Sequence, residues 1–216
     1  MAKQPIINIL ATNAAGERVL EAVSRPVRKA DPAVIRNLKD TITHSEAYGV
    51  AAPQIGVFER IFVMSPSLLG PELILINPQI IATSQERIWS YEGCLSIDSI
   101  RLWVPRFSEV TVSYFDEKQN HVTRRFSGTG ARVAQHEIDH LDGVTIFDRL
   151  QDPKRKESLL DRLETRSIVG KYIDFAASFS HVQPAYGAPF RCGAQTLSLT
   201  FQQGPVPEQP VSLRQR

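Results

Sequence analysis

With 216 residues, 42% of them hydrophobic and 22% charged, the chain has the make-up of a globular protein holding one well-filled domain plus appendages. A net charge of +2 is too small to argue for nucleic-acid or membrane-surface binding, and no apolar run is long enough to cross a bilayer. Cys94 and Cys192 are the only cysteines; a single disulfide between them is conceivable, but nothing points to a secreted disulfide scaffold, and the default is a reducing cytoplasm, where a thiol serves as ligand or nucleophile.

Residues 1–30 read as an irregular arm with one helical turn around Val19, Leu20 and Val23; Ile6–Leu10 is too short and interrupted for a signal-peptide core. Asp31-Pro32 is a helix opening, a capping side chain followed by proline at the first helical position. Val34, Ile35, Leu38 and Ile42 then repeat at helical spacing, and the helix is expected to stop near Tyr48-Gly49. Val50–Gly56 has small residues, a proline and no clear period, which predicts a loop where backbone comes close to something. Ile61–Met64 and Leu73–Ile76 read as strands, with Asn77-Pro78 breaking the second before Ile80-Ile81; Ile88–Tyr91 reads as another. Val110, Val112 and Tyr114 alternate with polar residues as in a half-buried strand; Asp116–Asn120 turns, and His121–Phe126 returns as its partner.

Gly128-Thr129-Gly130 opens a helix expected to end at Gly143, with Val133, Ala134, Ile138 and Leu141 as its apolar stripe. Asp152-Pro153 opens a last helix, about 153–176, apolar at Leu159, Leu160, Leu163 and Ile168 and basic at Lys154, Arg155, Lys156, Arg162 and Arg166. Beyond Ala176, five prolines and several glutamines predict a disordered tail over 177–216. The folded domain is therefore 1–176, with strands before and between helices, an α+β class.

The helix after Gly130 carries His136-Glu137-Ile138-Asp139-His140. Residues four apart lie one above the other on a helix face, so the two imidazoles can share one metal ion and Glu137 can serve as a base beside it. Burying two imidazoles and a carboxylate without compensation is costly, and a metal resolves that cost. A catalytic site wants a third protein ligand. Cys94, in Glu92-Gly93-Cys94-Leu95-Ser96, offers a soft thiolate; it also reads as a structural thiol or as the nucleophile of a Cys–His pair. Glu164, on the last helix, is the alternative third ligand and would make a zinc peptidase; beside Arg162 and Arg166 it reads equally as an exposed helix carboxylate. Gln54, in Ala51-Ala52-Pro53-Gln54-Ile55-Gly56, offers a side-chain amide to a developing oxyanion, or caps its own turn.

Together, Gly49-Val50-Ala51-Ala52-Pro53-Gln54, Glu92-Gly93-Cys94-Leu95-Ser96 and Gln135–His140 resemble, in order and spacing, the three signature segments of peptide deformylase, in its compact bacterial class. The resemblance runs from about Pro5 to about Leu150 and implies antiparallel sheets wrapped around a central helix that carries the His-Glu-x-x-His motif. It implies a metal held by Cys94, His136 and His140, Fe2+ with Zn2+, Ni2+ or Co2+ as substitutes. It implies hydrolysis of the N-formyl group from formyl-methionine on new polypeptides in the cytoplasm. Glu137 would move the water proton to the leaving amine, and Gln54 and the N–H of Leu95 would stabilise the oxyanion. Gly49 and Arg101 would align the peptide, and Tyr48 would wall the methionine pocket. The chain departs from the family pattern at Ala47, where a glycine is usual, and at Asp98, where a proline is common. Tyr48, a large aromatic that would narrow the methionine pocket, and the tail leave a second reading, a deformylase-like protein acting on another formylated substrate or as a binding module. The basic face of the last helix is similar to the ribosome-docking helix of some deformylases.

Overall fold

The computed structural model describes residues 4–12, 17–45, 47–150, 154–165, 191–192 and 195–196. The chain divides into two units, residues 1–169 and 170–216. In the first, the amino-terminal arm makes a single 3-10 turn at Val19–Glu21 and buries Leu20. Helix α1 (Pro32–Thr43) starts as its sequence dictates: the Asp31 carboxylate accepts from Ala33 N at 2.8 Å, with Pro32 at the first position. It stops well short of Gly49. The His44 ring donates to Asp40 O at 2.7 Å and Ser45 Oγ to Ile42 O at 3.2 Å, so these side chains occupy the last carbonyls.

The expected loop after α1 is instead strand β1 (Gly49–Ala51) followed by a 3-10 turn over Ala52–Ile55. β1 opens a five-stranded antiparallel sheet in the order β1-β2-β3-β6-β7, with β2 (Ile61–Met64), β3 (Leu73–Thr83), β6 (Glu109–Phe115) and β7 (His121–Ser127). The short helix α2 (Pro66–Leu69) links β2 to β3. Asn77-Pro78 does not end β3; it makes a bulge, with the register to β6 shifting between Ile76 and Gln79. Asn77 takes φ 50°, and its amide exchanges two hydrogen bonds with Val27, at 2.9 and 2.7 Å, as a backbone partner would.

Strands β4 (Arg87–Cys94) and β5 (Ile97–Phe107) form a separate two-stranded hairpin. β5 is absent from the expectations above. Arg101, Pro105 and Arg106 blur its alternation, and Pro105 is tolerated because a two-stranded hairpin is all edge. Helix α3 (Gly128–Leu141) lies between the two sheets' buried faces. Its Ala131, Ala134, Ile138 and Leu141 pack on Phe62, Met64, Leu75, Val110 and Val112 of the larger sheet. On the other side of that sheet, Ile35, Leu38 and Ile42 of α1 cover Val50, Ile61, Val63 and Ile76. α3 ends at Leu141, and Gly143 takes φ 70° where a Cβ would lie 2.8 Å from the Glu21 carbonyl carbon.

Residues 154–165 form helix α4, whose Leu159, Leu160 and Leu163 pack on Leu20, Ile97, Leu102 and Val104. The expected start of this helix at Asp152-Pro153 and its run to 176 lie outside the described residues. In the second unit, β8 (Arg191–Cys192) pairs antiparallel with β9 (Gln195–Thr196). The rest of the tail over 177–216 also lies outside the described residues. Among the described residues, no helix is long and apolar enough to cross a membrane.

Candidate active site

Beside its apolar stripe, α3 carries a second, polar face. His136 and His140, one helical turn apart, meet Cys94 at the end of β4. One donor atom from each of the three lies within 4.8 Å of the others, and Cys94 Sγ is 3.2 Å from His140 Nε2. Donors bound at about 2.0–2.3 Å around one tetrahedral ion lie roughly 3.3–3.8 Å apart, so donors gathered within 4.8 Å stand close enough to close on a single divalent cation. A bulge between Glu92 and Cys94 in the β4–β5 ladder sets the direction of the cysteine. Burial would raise the Cys94 thiol, but the imidazoles of His140 and His136 more than offset that and hold it well below its ordinary value. The thiolate is thus the favoured form.

Glu137 stands beside this cluster, buried, with Oε2 lacking any partner among the described residues. Burial pushes its carboxyl up to about 7, against the opposing pull of His136 and His140. That value suits a group that accepts and returns a proton near neutral pH. Gly49 makes room for it: a Cβ there would sit 2.8 Å from Glu137 Cγ and Cδ. Gln54 is buried and fixed in orientation. Its Oε1 accepts from Ala51 N at 2.9 Å, so its Nε2 must point to Ser96 Oγ, at 3.3 Å, and to Cys94 Sγ, at 3.5 Å.

A buried charge network, not anticipated from the sequence, holds His136. Its Nδ1 lies 3.1 Å from Glu92 Oε2. Arg106 grips Glu92 with two hydrogen bonds of 2.9 Å each, and Arg132 adds a third at 2.7 Å. Arg106 also reaches Asp139 at 2.5 Å, and Arg149 closes on the same carboxylate at 2.9 Å. Burial alone would raise Glu92, yet His136 and Arg106 hold it well below the usual carboxylate range. Burial likewise opposes a charged His136, and Cys94 and Glu92 override it. The sequence carried a partial signal, since Glu92 and Asp139 both sit inside the signature segments. The three arginines come from β5, α3 and the segment after it, with no local pattern to mark them.

The cluster opens into a cleft of about 650 Å³ lined by Tyr48, Gly49, Gln54, Cys94, Leu95, Arg101, His136 and Glu137, among others. Every residue named from the sequence for the deformylase reading therefore lies in the cleft or, for His140, in the donor cluster at its base. Glu164 does not join them; it lies on α4, half exposed, paired with Arg18 at 2.8 Å. Among the described residues, the donor cluster has Cys94, not Glu164, as its third member.

Comparison with known proteins agrees with this geometry. The sequence model of the polypeptide deformylase family matches residues 9–156. The peptide deformylase of Pseudothermotoga lettingae is 41% identical over 143 residues, 65% of this chain and 82% of that protein. The enzyme of Thermotoga maritima is 36% identical over 156 residues, 69% of this chain and 94% of its own length. Among solved structures, the peptide deformylase of Ehrlichia chaffeensis superposes with a TM-score of 0.69 at 26% identity, covering 78% of this chain and 99% of that one. The Thermotoga maritima structure gives 0.63 at 33% identity, covering 70% and 100%. A match across most of the described fold, carried by the same cleft that the cysteine and the paired histidines build, places the chain in the polypeptide deformylase family.

Proposed function

We propose that this chain removes the N-formyl group from the formyl-methionine that begins newly made polypeptides, and that it does so in the cleft between α3 and the β4–β5 hairpin. Family membership makes it a hydrolase of protein biosynthesis, and the family is metal-dependent. The observation that carries the assignment of roles is the convergence of Cys94, His136 and His140 beside a buried Glu137 with a free oxygen.

Cys94, His136 and His140 would hold one divalent ion, which supplies Lewis acidity for the formyl carbonyl and for water. Thiolate and imidazole donors favour soft and borderline ions; Fe2+ is the proposed occupant, with Zn2+, Ni2+ and Co2+ as substitutes. Glu137 takes the proton of the attacking water and hands it to the nitrogen of the leaving amine. Gln54 Nε2 and the N–H of Leu95 donate to the oxygen as it gains charge. The amide of Gln54 is pre-aimed by Ala51, so little reorganisation is needed. Backbone of Gly49 and the guanidinium of Arg101 align the peptide, and Tyr48, half exposed at the cleft, walls the methionine side chain.

The partners are nascent formylated chains, met in the cytoplasm. The exposed basic residues of α4, Arg155 and Arg162, are the proposed point of transient ribosome contact. Protein purified without oxygen and loaded with iron should release formate from formyl-Met-Ala-Ser. Absence of turnover on any formyl-methionyl peptide would sink the assignment.

A further inference from the structure

The amino-terminal arm, to which the proposed chemistry gives no task, touches both segments that supply the oxyanion donors. The N–H of Ile7 donates to the carbonyl oxygen of Gln54 at 2.8 Å, and the N–H of Ile9 donates to that of Ser96 at 2.8 Å. Gln54 and Ser96 also meet through their side chains, Nε2 to Oγ at 3.3 Å. Ile7, Gln54, Ser96 and Ile9 thus close a ring of contacts, in which a short piece of the arm bridges two positions 42 residues apart in the chain. The arm is itself held. Ile9 is buried in one cluster with Leu20, Ile97, Leu102 and Phe147, and its carbonyl accepts from Arg18 Nη1 at 3.4 Å. The N–H of Val19 donates to Ala11 O at 2.9 Å and turns the arm back on itself.

The two oxyanion donors belong to different parts of the fold. Gln54 follows β1 of the five-stranded sheet, whereas Leu95 lies in the turn of the β4–β5 hairpin, and the two sheets are not paired with each other. Donors from separate sheets work together only if their separation is fixed, since each must lie about 2.7–3.1 Å from the same oxygen. At 3.3 Å the direct bond from Gln54 to Ser96 is longer than either 2.8 Å bond of the arm, and the Nε2 that makes it is the donor the oxyanion recruits. We propose that the main chain of Ile7 and Ile9 is a positioning strap that sets the distance between the Gln54 amide and the Leu95 N–H. The inference rests on the deformylase reading above.

Such a strap shows in kcat and not in KM, because the donors it aligns act once charge develops. Replacing Ile7 by its α-hydroxy acid analogue turns the amide into an ester, removes the N–H and keeps the side chain. With formyl-Met-Ala-Ser, kcat should fall about five- to thirtyfold, less than the about 10²- to 10³-fold of deleting a donor outright. KM should move by less than about twofold, and metal content should stay as in the unmodified protein. The same replacement at Ile9 should act in the same direction; Ile7 is the primary site because it is only partly buried. Ile7→Val and Ile9→Val keep both N–H groups and should keep kcat. In a Gln54→Ala background the Ile7 ester should cost no further activity, since the group it aligns is gone. A general structural defect would cost as much there as in the unmodified background. The strap is overturned if folded Ile7 ester protein keeps its kcat, or if its loss persists undiminished beside Gln54→Ala. Absence of turnover by the unmodified protein instead overturns the deformylase reading beneath it.

Discussion

Helix α3 has two faces that do different work under different physical rules. One face, Ala131, Ala134, Ile138 and Leu141, meets the five-stranded sheet through apolar contact alone. The other presents Gln135, His136, Asp139 and His140 to the β4–β5 hairpin and sets Glu137 against Gly49 of β1, equally buried but polar. The apolar face needs only volume and shape. The polar face needs a partner for nearly every atom, because a buried charge without one is costly. The exceptions are informative: Glu137 Oε2 and His140 Nδ1 are the buried side-chain atoms on α3 without a partner among the described residues. Satisfaction stops at the place where chemistry is proposed to occur.

This contrast can be broken from either side. The largest effect is expected from Glu137→Ala. A general base contributes about 10²- to 10⁴-fold, so kcat should fall by that much while metal content, read by elemental analysis, stays near one per chain. Next is Arg106→Met, which strips Glu92 and Asp139 of their shared partner. Breaking a buried ion pair on one side costs about 3–5 kcal/mol, visible in urea unfolding. Loss of the support behind His136 should also weaken metal binding by about ten- to a hundredfold. On the apolar face, Leu141→Ala should cost about 2–5 kcal/mol in the same unfolding assay. Once folded, that variant should keep its kcat, which separates the two faces cleanly.

The smallest expected effect tests a polar contact outside the helix. Asp148 accepts from Thr145 N and Oγ1, each at 2.7 Å, and pairs with Lys156. Burial would raise its carboxyl, but Lys156 and Thr145 more than offset this and lower it. A depressed carboxylate stabilises the fold above its unfolded pKa, near 4, and that contribution is lost as pH falls through the folded value. Because the pair is partly exposed, the contribution should stay below about 1 kcal/mol. Asp148→Asn should therefore lower the melting temperature slightly at pH 7 and flatten its decline between pH 5 and 3. An unchanged acid profile would mean that the contact is not felt.

The elements legible in advance were those whose signals are local. Ile61–Met64 stands as read, and Asp31-Pro32 starts α1 with the cap expected of it. The hairpin of β6 and β7 and the amphipathic α3 follow from alternation and helical period. The failures share a cause. Asn77-Pro78 looked like a strand end, but Asn77 borrows Val27, fifty residues earlier, to bridge the bulge. Val50–Gly56 looked like a loop because β1 is three residues long and is held by pairing with β2. β5 was invisible because an arginine in the sequence reads as a surface residue, whereas Arg106 is enclosed by Glu92 and Asp139.

By itself, the sequence determined the parts that spacing along one chain can encode: two histidines on one helix face, a carboxylate between them, and three short segments whose order marks the family. What surrounds those parts came only with the tertiary structure. It chose Cys94 over Glu164 for the donor cluster, turned the Gln54 amide toward the thiol, and drew arginines from three elements around Glu92 and Asp139. The reason is physical. Periodicity records which side of an element is buried, whereas the partner of a buried charge or amide is set by contacts between residues far apart in the chain.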